Sequence, residues 1–418
     1  MTRMNRLKAN ILLIYGYYFF RSFIFAYVVE RLYWRSRGIS ITQTVYLEFI
    51  YAAVVMLLEV PSGVWADRFS RSKLVVFSAT LNLINAVIMV YAFGFGAFAF
   101  AIALSGVYGA LSSGSVNALI YDSLKELKTT ERFEKVIGRI KAIRYASGLI
   151  AALVGSALAH YSGLVTPYRL SVVSCVISMI LAMFLLEPKR SDNVQEEQVS
   201  LKTGQILGLS LTTLRSNPFL KQVLVSGALV GSVMIYFDEF WQNYFELVGV
   251  KTLYFGLISG VMSAGVILAS LTVGKLAALL RKYPEHKLAF YRLTVVAMMV
   301  CFMLAGRFKS TWVLLAIAAA AGVAAVNEAL VMGDLHHHTE SDARATMESI
   351  YSMLHRGFSI LVGLFFAYLS DKVDVMKGFT GIAYLLVAGW LILVILQRFG
   401  TRGMKRVEEE RVQDQKIR

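Results

Sequence analysis

The chain has 418 residues, of which 57% are hydrophobic and only 17% charged, and its mean hydropathy is +0.61. A soluble domain carries about 25% charge, so the composition excludes a soluble enzyme and a disordered chain. The formal net charge of +15 would point to nucleic acid in a soluble protein, but here the basic residues sit in short segments between apolar runs, and no nucleic-acid partner is expected.

Apolar runs fall at 11–30, 44–62, 74–94, 97–120, 140–161, 168–187, 220–246, 253–274, 287–306, 311–333, 347–369 and 379–397. Each is close to the ~20 residues that a helix needs to cross a bilayer. They are far longer than the roughly 10-residue alternating strands of a membrane barrel. The expected fold is therefore an all-α membrane protein of twelve transmembrane helices. The first run follows a short basic start and lacks a small-residue cleavage site, so it reads as a retained helix rather than a signal. Gly94-Phe95-Gly96 makes a tight joint between the third and fourth runs.

The longest polar insertion, Glu187 to Pro218, divides the runs into two sets of six. The implied organisation is a bundle at 1–187, a cytoplasmic linker at 188–218, a second bundle at 219–398 and a charged cytoplasmic tail at 399–418. Within the linker, Ser191 to Glu197 reads as solvated, and Leu201 to Leu214 as either a plain loop or a helix lying on the membrane surface.

With the N-terminus inside, most Lys and Arg fall in inner segments, which places both termini in the cytoplasm. The expected location is the inner (cytoplasmic) membrane, multi-pass, with anionic lipid headgroups as contacts of the basic loops and a monomeric state. Cys175 and Cys301 both lie in apolar runs, so neither a disulfide framework nor a Cys-based metal site is expected. His336-His337-His338 reads as a polar inner loop, since consecutive helical positions cannot converge on one ion.

The halves look related. Val116-Asn117-Ala118-Leu119 recurs as Val326-Asn327-Glu328-Ala329-Leu330 with one inserted residue, and Leu153-Val154-Gly155 recurs as Leu361-Val362-Gly363. Both pairs lie about half the chain apart, as a parallel duplication requires.

After the second run stands Gly63-Val64-Trp65-Ala66-Asp67-Arg68-Phe69-Ser70-Arg71-Ser72-Lys73. Gly63 suits a close helix crossing, Asp67 can accept from N–H groups at a facing helix end, and Arg68, Arg71 and Lys73 can pair with carboxylates or headgroups. This segment resembles the signature loop of the major facilitator superfamily in pattern and in its place between the second and third of twelve helices. The resemblance covers the whole chain and implies two pseudo-symmetric six-helix bundles. It also implies that Gly63, Asp67, Arg68 and Arg71 form a latch for an outward-facing state. Leu58-Glu59-Val60-Pro61-Ser62-Gly63 with Ala118-Leu119-Ile120-Tyr121-Asp122-Ser123 is most similar to bacterial drug-efflux-type members. The chain departs from the family at Gly274 to Lys282, where the matching loop has no Asp. Its fifth run has Gly148 and Gly155 but not the Gly-Pro signature of many drug/proton antiporters.

Ionisable residues inside spans are costly and mark candidate sites. Arg21 in the first run shares a face with Tyr17 and Tyr18, at helical spacing, and would meet an anionic substrate or a carboxylate. Asp238 and Glu239 in the seventh run, beside Tyr236, Trp241 and Gln242, are candidates for carrying a proton, with Asp238 favoured because adjacent positions point about 100° apart. Glu328, next to Asn327, is the other proton candidate, with an ion pair to Arg356 or Arg144 as its alternative. Asp122 and Arg144 read as a gate or structural bridge. Tyr17, Tyr18, Arg21, Tyr236, Asp238, Trp241, Asn327 and Arg356 are the expected substrate contacts. No phosphate-binding Gly-rich loop occurs, so an ion gradient, of protons, is the expected energy source and no other cofactor is expected.

The expected function is a secondary transporter working by alternating access and exporting a small amphiphilic compound. The 26 Phe, 21 Tyr and 5 Trp suit varied apolar or cationic ligands. Proton-coupled uptake of an organic anion is the runner-up, motivated by Arg21 and Arg356. A polytopic membrane enzyme would need a clustered nucleophile, base or metal site, for which the His run is the only loose candidate, and a receptor derived from the same fold is the remaining class.

Overall fold

A computed structural model of the chain describes residues 3–189, 217–339 and 344–395. The segment Leu201 to Leu214, read as a plain loop or a surface helix, and the tail at 399–418 lie outside these. Among the described residues all regular structure is helical, as hydrocarbon demands, because only a helix satisfies its backbone within a single segment. Twelve helices are long and apolar enough to span a membrane, and each overlaps one of the twelve apolar runs.

Seven helices precede the linker: α1 (Arg3–Ser22), α2 (Glu30–Ser36), α3 (Ile41–Arg68), α4 (Arg71–Tyr91), α5 (Gly94–Glu126), α6 (Phe133–Ser162) and α7 (Val165–Met183). Six follow: α8 (Pro218–Val248), α9 (Phe255–Lys282), α10 (Lys287–Arg307), α11 (Val313–His337), α12 (Arg344–Lys372) and α13 (Val375–Ile395). The chain divides into two compact units. Unit 1 is Met1–Glu196 with Gly249–Gly260, and unit 2 is Glu197–Val248 with Val261–Arg418. Gly249–Gly260 thus groups with the first unit, although chain order puts it in the second half.

Among the described residues, the first span, in unit 1, departs from a continuous helix. The first run is broken after Ser22, turns through a 3-10 segment at Tyr27–Val29 and resumes as the short α2. The backbone of the break packs on Gly155 of α6, where a Cβ would stand 2.1 Å from the Phe25 carbonyl oxygen. A bare Gly at 155 is what admits it. Beyond α2, Ser40 caps α3 with a reciprocal capping box to Gln43. Two apolar clusters fill this unit, one around Ile14, Tyr17, Val75 and Leu119, the other around Tyr33, Trp34, Phe98 and Tyr168.

The signature segment is mostly helix rather than loop. Gly63 to Arg68 are the last residues of α3, Arg71 opens α4, and only Phe69-Ser70 connects them. The Ser70 hydroxyl accepts from the Lys73 amide, which lets the turn end and a helix start within two residues.

Unit 2 is the more tightly filled around α8. Leu220, Val223 and Leu224 pack with Tyr291, Val331 and Tyr351, and the Phe237 and Phe302 rings stack at 3.7 Å between centroids.

Candidate substrate and coupling sites

In unit 1 a cavity of about 570 Å³ is lined by side chains from α1, α3, α4, α5 and α6, among them Arg21, Tyr51, Asn82, Tyr108, Lys141 and Arg144. Arg21 is the penultimate residue of α1, where the free carbonyls of a helix end favour a cation. Its Nη1 donates to the Tyr17 hydroxyl at 2.7 Å, and its guanidinium lies 5.8 Å from the Tyr17 ring centroid and 5.6 Å from that of Tyr108. Among the described residues no carboxylate is in ion-pair range of Arg21. Tyr17, expected on the cavity wall, is fully buried in the apolar core and reaches Arg21 from behind. Tyr18 packs edge-on against Tyr17 and carries the Arg144 guanidinium at 5.9 Å.

The bridge expected between Asp122 and Arg144 is not formed. Asp122, near the end of α5, pairs with Arg71, the first residue of α4, and Arg71 also donates to the Ala118 carbonyl at 3.2 Å. Arg144 lies too far along α6: eleven residues beyond Phe133 at ~1.5 Å each carry it about 16 Å from the helix start. The side chains of Gly63, Asp67 and Arg68 lie outside what the structure describes.

In unit 2 a cavity of about 320 Å³ is lined by Asp238 on α8, Asn327 and Glu328 on α11, and Tyr351 and His355 on α12, with small residues such as Gly227, Gly231 and Ala321 between them. Gly231 makes room for the His355 ring, whose Cδ2 and Nε2 would stand 2.9 Å from a Cβ there. Asp238 and Glu328 are both exposed, and among the described residues neither has an ion-pair partner. Within unit 2 the expected pairing of Glu328 with Arg356 is therefore absent among the described residues. Asn327 is fully buried, its amide donates to Thr294 Oγ1 at 2.6 Å, and its carbonyl oxygen has no hydrogen-bond partner.

Several expected contacts lie elsewhere. Tyr236 is in the core, donating to the Ser359 carbonyl at 2.5 Å and packed on Phe240 and Phe366. Trp241 is buried against Phe245. Glu239 is half-buried and does not line the cavity. Arg356 bonds Ser352 on its own helix at 3.4 Å and does not line it either, because one step from His355 turns the side chain about 100° away.

Two groups that sequence reasoning passed over organise the helix ends. Glu187 follows α7 and caps the start of α4, accepting from Ser70 Oγ at 2.7 Å, the Arg71 amide at 3.0 Å and the Ser72 amide at 2.7 Å. Burial opposes its charge, but the bonds from Ser72, Ser70 and Arg71 outweigh that and hold the carboxyl below its usual range. The strap behind it is pinned too: the fully buried Asn10 donates to the Leu186 carbonyl at 2.8 Å and accepts from the Leu186 amide at 2.9 Å. Asp334, near the end of α11, pairs with Lys287 at 2.6 Å and accepts from Tyr291 at 2.9 Å. A signal was present for Asp334, which follows the repeat ending at Leu330 by four residues as Asp122 follows the one ending at Leu119 by three; none marked Glu187. The His run diverges, His336 reaching Glu348 at 2.9 Å and His338 Nδ1 lying 2.8 Å from the Asp334 carbonyl.

The family model of the Major Facilitator Superfamily matches residues 11–364. An uncharacterized transporter of Buchnera aphidicola subsp. Schizaphis graminum is 23% identical over 143 residues, covering 34% of this chain and 35% of that protein. One of Buchnera aphidicola subsp. Acyrthosiphon pisum is 22% identical over 158 residues, covering 36% and 37%. The chain thus matches little more than a third of the length of these curated relatives. Among solved structures, the nucleoside transporter NupG superposes with a TM-score of 0.66 at 13% identity, over 95% of this chain and 99% of that one. A bacterial homolog of the human lysosomal transporter Spinster, inward-facing and occupied, superposes with a TM-score of 0.67 at 15% identity, over 96% of each. At these identities the likeness is one of fold, and the drug-efflux resemblance gains no support from either. The match over most of the chain, with twelve spans and helices throughout, shows that this multi-pass membrane protein belongs to the Major Facilitator Superfamily, whose members are transporters and not enzymes.

Proposed function

We propose that the protein is a proton-coupled secondary transporter that moves a small amphiphilic organic compound by alternating access, with Asp238 and Glu328 exchanging the proton. The observation that supports this most is the pair of carboxylates in the unit 2 cavity, each without an ion-pair partner among the described residues. Carboxylates inside a span are costly and mark ion and proton pathways, and these two line one cavity. Export against the proton gradient is the direction proposed, in the inner membrane with both termini cytoplasmic, on the positive-inside bias.

The test is uptake into inverted membrane vesicles with an imposed pH gradient, using three labelled probes: a lipophilic cation, an aromatic carboxylate and a neutral aromatic amide. At least one should accumulate with the gradient and stop doing so when the gradient is collapsed. Asp238→Asn or Glu328→Gln should abolish accumulation and spare exchange at equal concentrations. If the double variant still concentrates a probe, the coupling site lies elsewhere.

A second reading, uptake of an organic anion, is favoured by one observation: among the described residues the unit 1 cavity is lined by cations and by no carboxylate. Right-side-out vesicles loaded with the same carboxylate distinguish the two directions.

A further inference from the structure

Three cations, Arg21, Lys141 and Arg144, line the unit 1 cavity with the hydroxyl-bearing Tyr51, Tyr108 and Ser105, and among the described residues no Asp or Glu lines it. Lys141 and Arg144 are three residues apart on α6, so they share one face. Arg21 comes from the end of α1, braced by the buried Tyr17 hydroxyl and by the faces of Tyr17 and Tyr108. A charged Arg or Lys inside a span costs about 2.5–3.5 kcal/mol on insertion scales. Such residues normally recover that by pairing, and Arg21 and Arg144 have no carboxylate in ion-pair range among the described residues. The unit 2 cavity has the opposite character, with two carboxylates and, among the described residues, no Lys or Arg in its lining.

From this juxtaposition we infer that the unit 1 cavity binds the anionic group, a carboxylate or a phosphate, of an aromatic or otherwise apolar compound, and that the transported compound is an amphiphilic anion. The planar guanidinium groups of Arg21 and Arg144 take the anion by charge-assisted, fork-like bonds. Lys141 adds a point charge, and the faces of Tyr51 and Tyr108 receive the apolar body. This rests on the reading of the protein as a transporter of an amphiphilic compound, and it adds Lys141, Arg144, Tyr51 and Tyr108 to Arg21 as its binding groups while leaving Arg356 out.

The test uses the purified full-length chain in an uncharged detergent and three matched probes: 1-naphthoate, 1-naphthamide and 1-naphthylmethylammonium. Binding is read by thermal shift and by calorimetry. Naphthoate should raise the unfolding midpoint, and the amide and ammonium should not. Arg144→Gln should weaken naphthoate at least tenfold, and Arg21→Gln at least as much. Should Arg21→Gln fail to fold, Lys141→Gln, at an exposed position, provides the second variant and should also weaken it. Equal binding of the ammonium, or naphthoate affinity unchanged in the variants, overturns the inference.

A lipid headgroup has the same chemistry, so phosphatidylglycerol in mixed micelles forms a separate arm. Stabilisation by phosphatidylglycerol but not naphthoate, lost in Arg144→Gln, supports the anion site with a lipid as its source. Asp238→Asn should still bind naphthoate. Retained Arg-dependent binding alongside undiminished gradient-driven accumulation in Asp238→Asn/Glu328→Gln would overturn the coupling reading alone. Asp238-dependent accumulation of the lipophilic cation, with no naphthoate binding, would overturn the anion site alone.

Discussion

Asp122 and Asp334 do the same job in the two halves: each stands near the end of one long helix and pairs with the first residue of the helix before it. Asp122 on α5 takes Arg71, which opens α4, and Asp334 on α11 takes Lys287, which opens α10. The duplication legible in Val-Asn and Ala-Leu thus extends to an ion pair, although the cation has changed from Arg to Lys. Both acids are largely buried, with side-chain exposures of 19% and 9%.

Removing one partner of such a pair leaves the other charge uncompensated. Asp334→Asn should therefore cost stability, by about 3 kcal/mol on the scale for broken buried pairs, and Asp122→Asn somewhat less because it is more exposed. Asp334 also holds the Tyr291 hydroxyl, which deepens its loss. Thermal unfolding in detergent measures both. Equal, negligible shifts would make these pairs ornaments of the surface. Lys287→Met combined with Asp334→Leu should recover most of the loss, since replacing both members removes the stranded charge.

Glu187 gives the protein a pH dependence at one helix end. Its folded carboxyl lies below the ordinary value, held there, against burial, by bonds from Ser72, Ser70 and Arg71. The stabilisation is then fully present above the ordinary carboxylate range, about 4.3 for Glu, and is lost as pH falls through the lower folded value. Wild type should unfold at a higher temperature than Glu187→Gln at pH 7, and the gap should close as the pH is taken down through the acid range. A gap that is independent of pH would mean that the carboxylate's charge plays no part in the cap.

Gly155 is a third point of test. A Cβ at 155 would stand 2.1 Å from the Phe25 carbonyl oxygen, whereas one at Gly148 on the same helix meets nothing within 4 Å. Gly155→Ala should push the break in the first span away from α6 and cost about 1–3 kcal/mol, the usual range for overpacking. Gly148→Ala should be neutral or slightly stabilising, since Ala is the better helix former by up to ~1 kcal/mol. Comparable thermal midpoints for the two variants would mean that the break does not depend on a bare Gly at 155.

These contacts mark the limit of what the sequence could disclose. The twelve spans were legible because hydrocarbon leaves the backbone no other choice, and composition alone reports it. The break after Ser22 was not, because it depends on Phe25 meeting Gly155 across the bundle, and nothing local to residues 23–26 announces that. Tyr236 and Trp241 were expected at a cavity because they flank Asp238, yet neighbours in sequence cover every side of a helix, and both point into the core of unit 2. Arg21 stood out as a charge in an apolar run. Lys141, in the first turns of a predicted span, looked like one more positive-inside residue until α6 placed it beside Arg144. Glu187 stands at the end of the sixth apolar run, where the polar insertion begins, and only the fold brings it to Ser70, Arg71 and Ser72.

The adjacent acids of α8 allow a comparison within one turn. Asp238 is exposed and lines the unit 2 cavity, and Glu239 is half-buried and does not. If the cavity position is what allows proton exchange, Asp238→Asn should abolish gradient-driven accumulation, and Glu239→Gln should leave it within a few-fold of wild type. Accessibility can be read separately, because both native thiols, Cys175 and Cys301, are buried and a polar thiol reagent should find little background. A cysteine at position 238 should label readily, and one at 239 at least several-fold more slowly. Labelling at 238 should also slow when Glu328 is replaced by a bulkier side chain that fills the shared cavity, whereas labelling at 239 should not respond. Equal labelling at the two positions, together with loss of coupling in Glu239→Gln, would transfer the proton site to Glu239 and would mean that α8 presents its other face to the pathway.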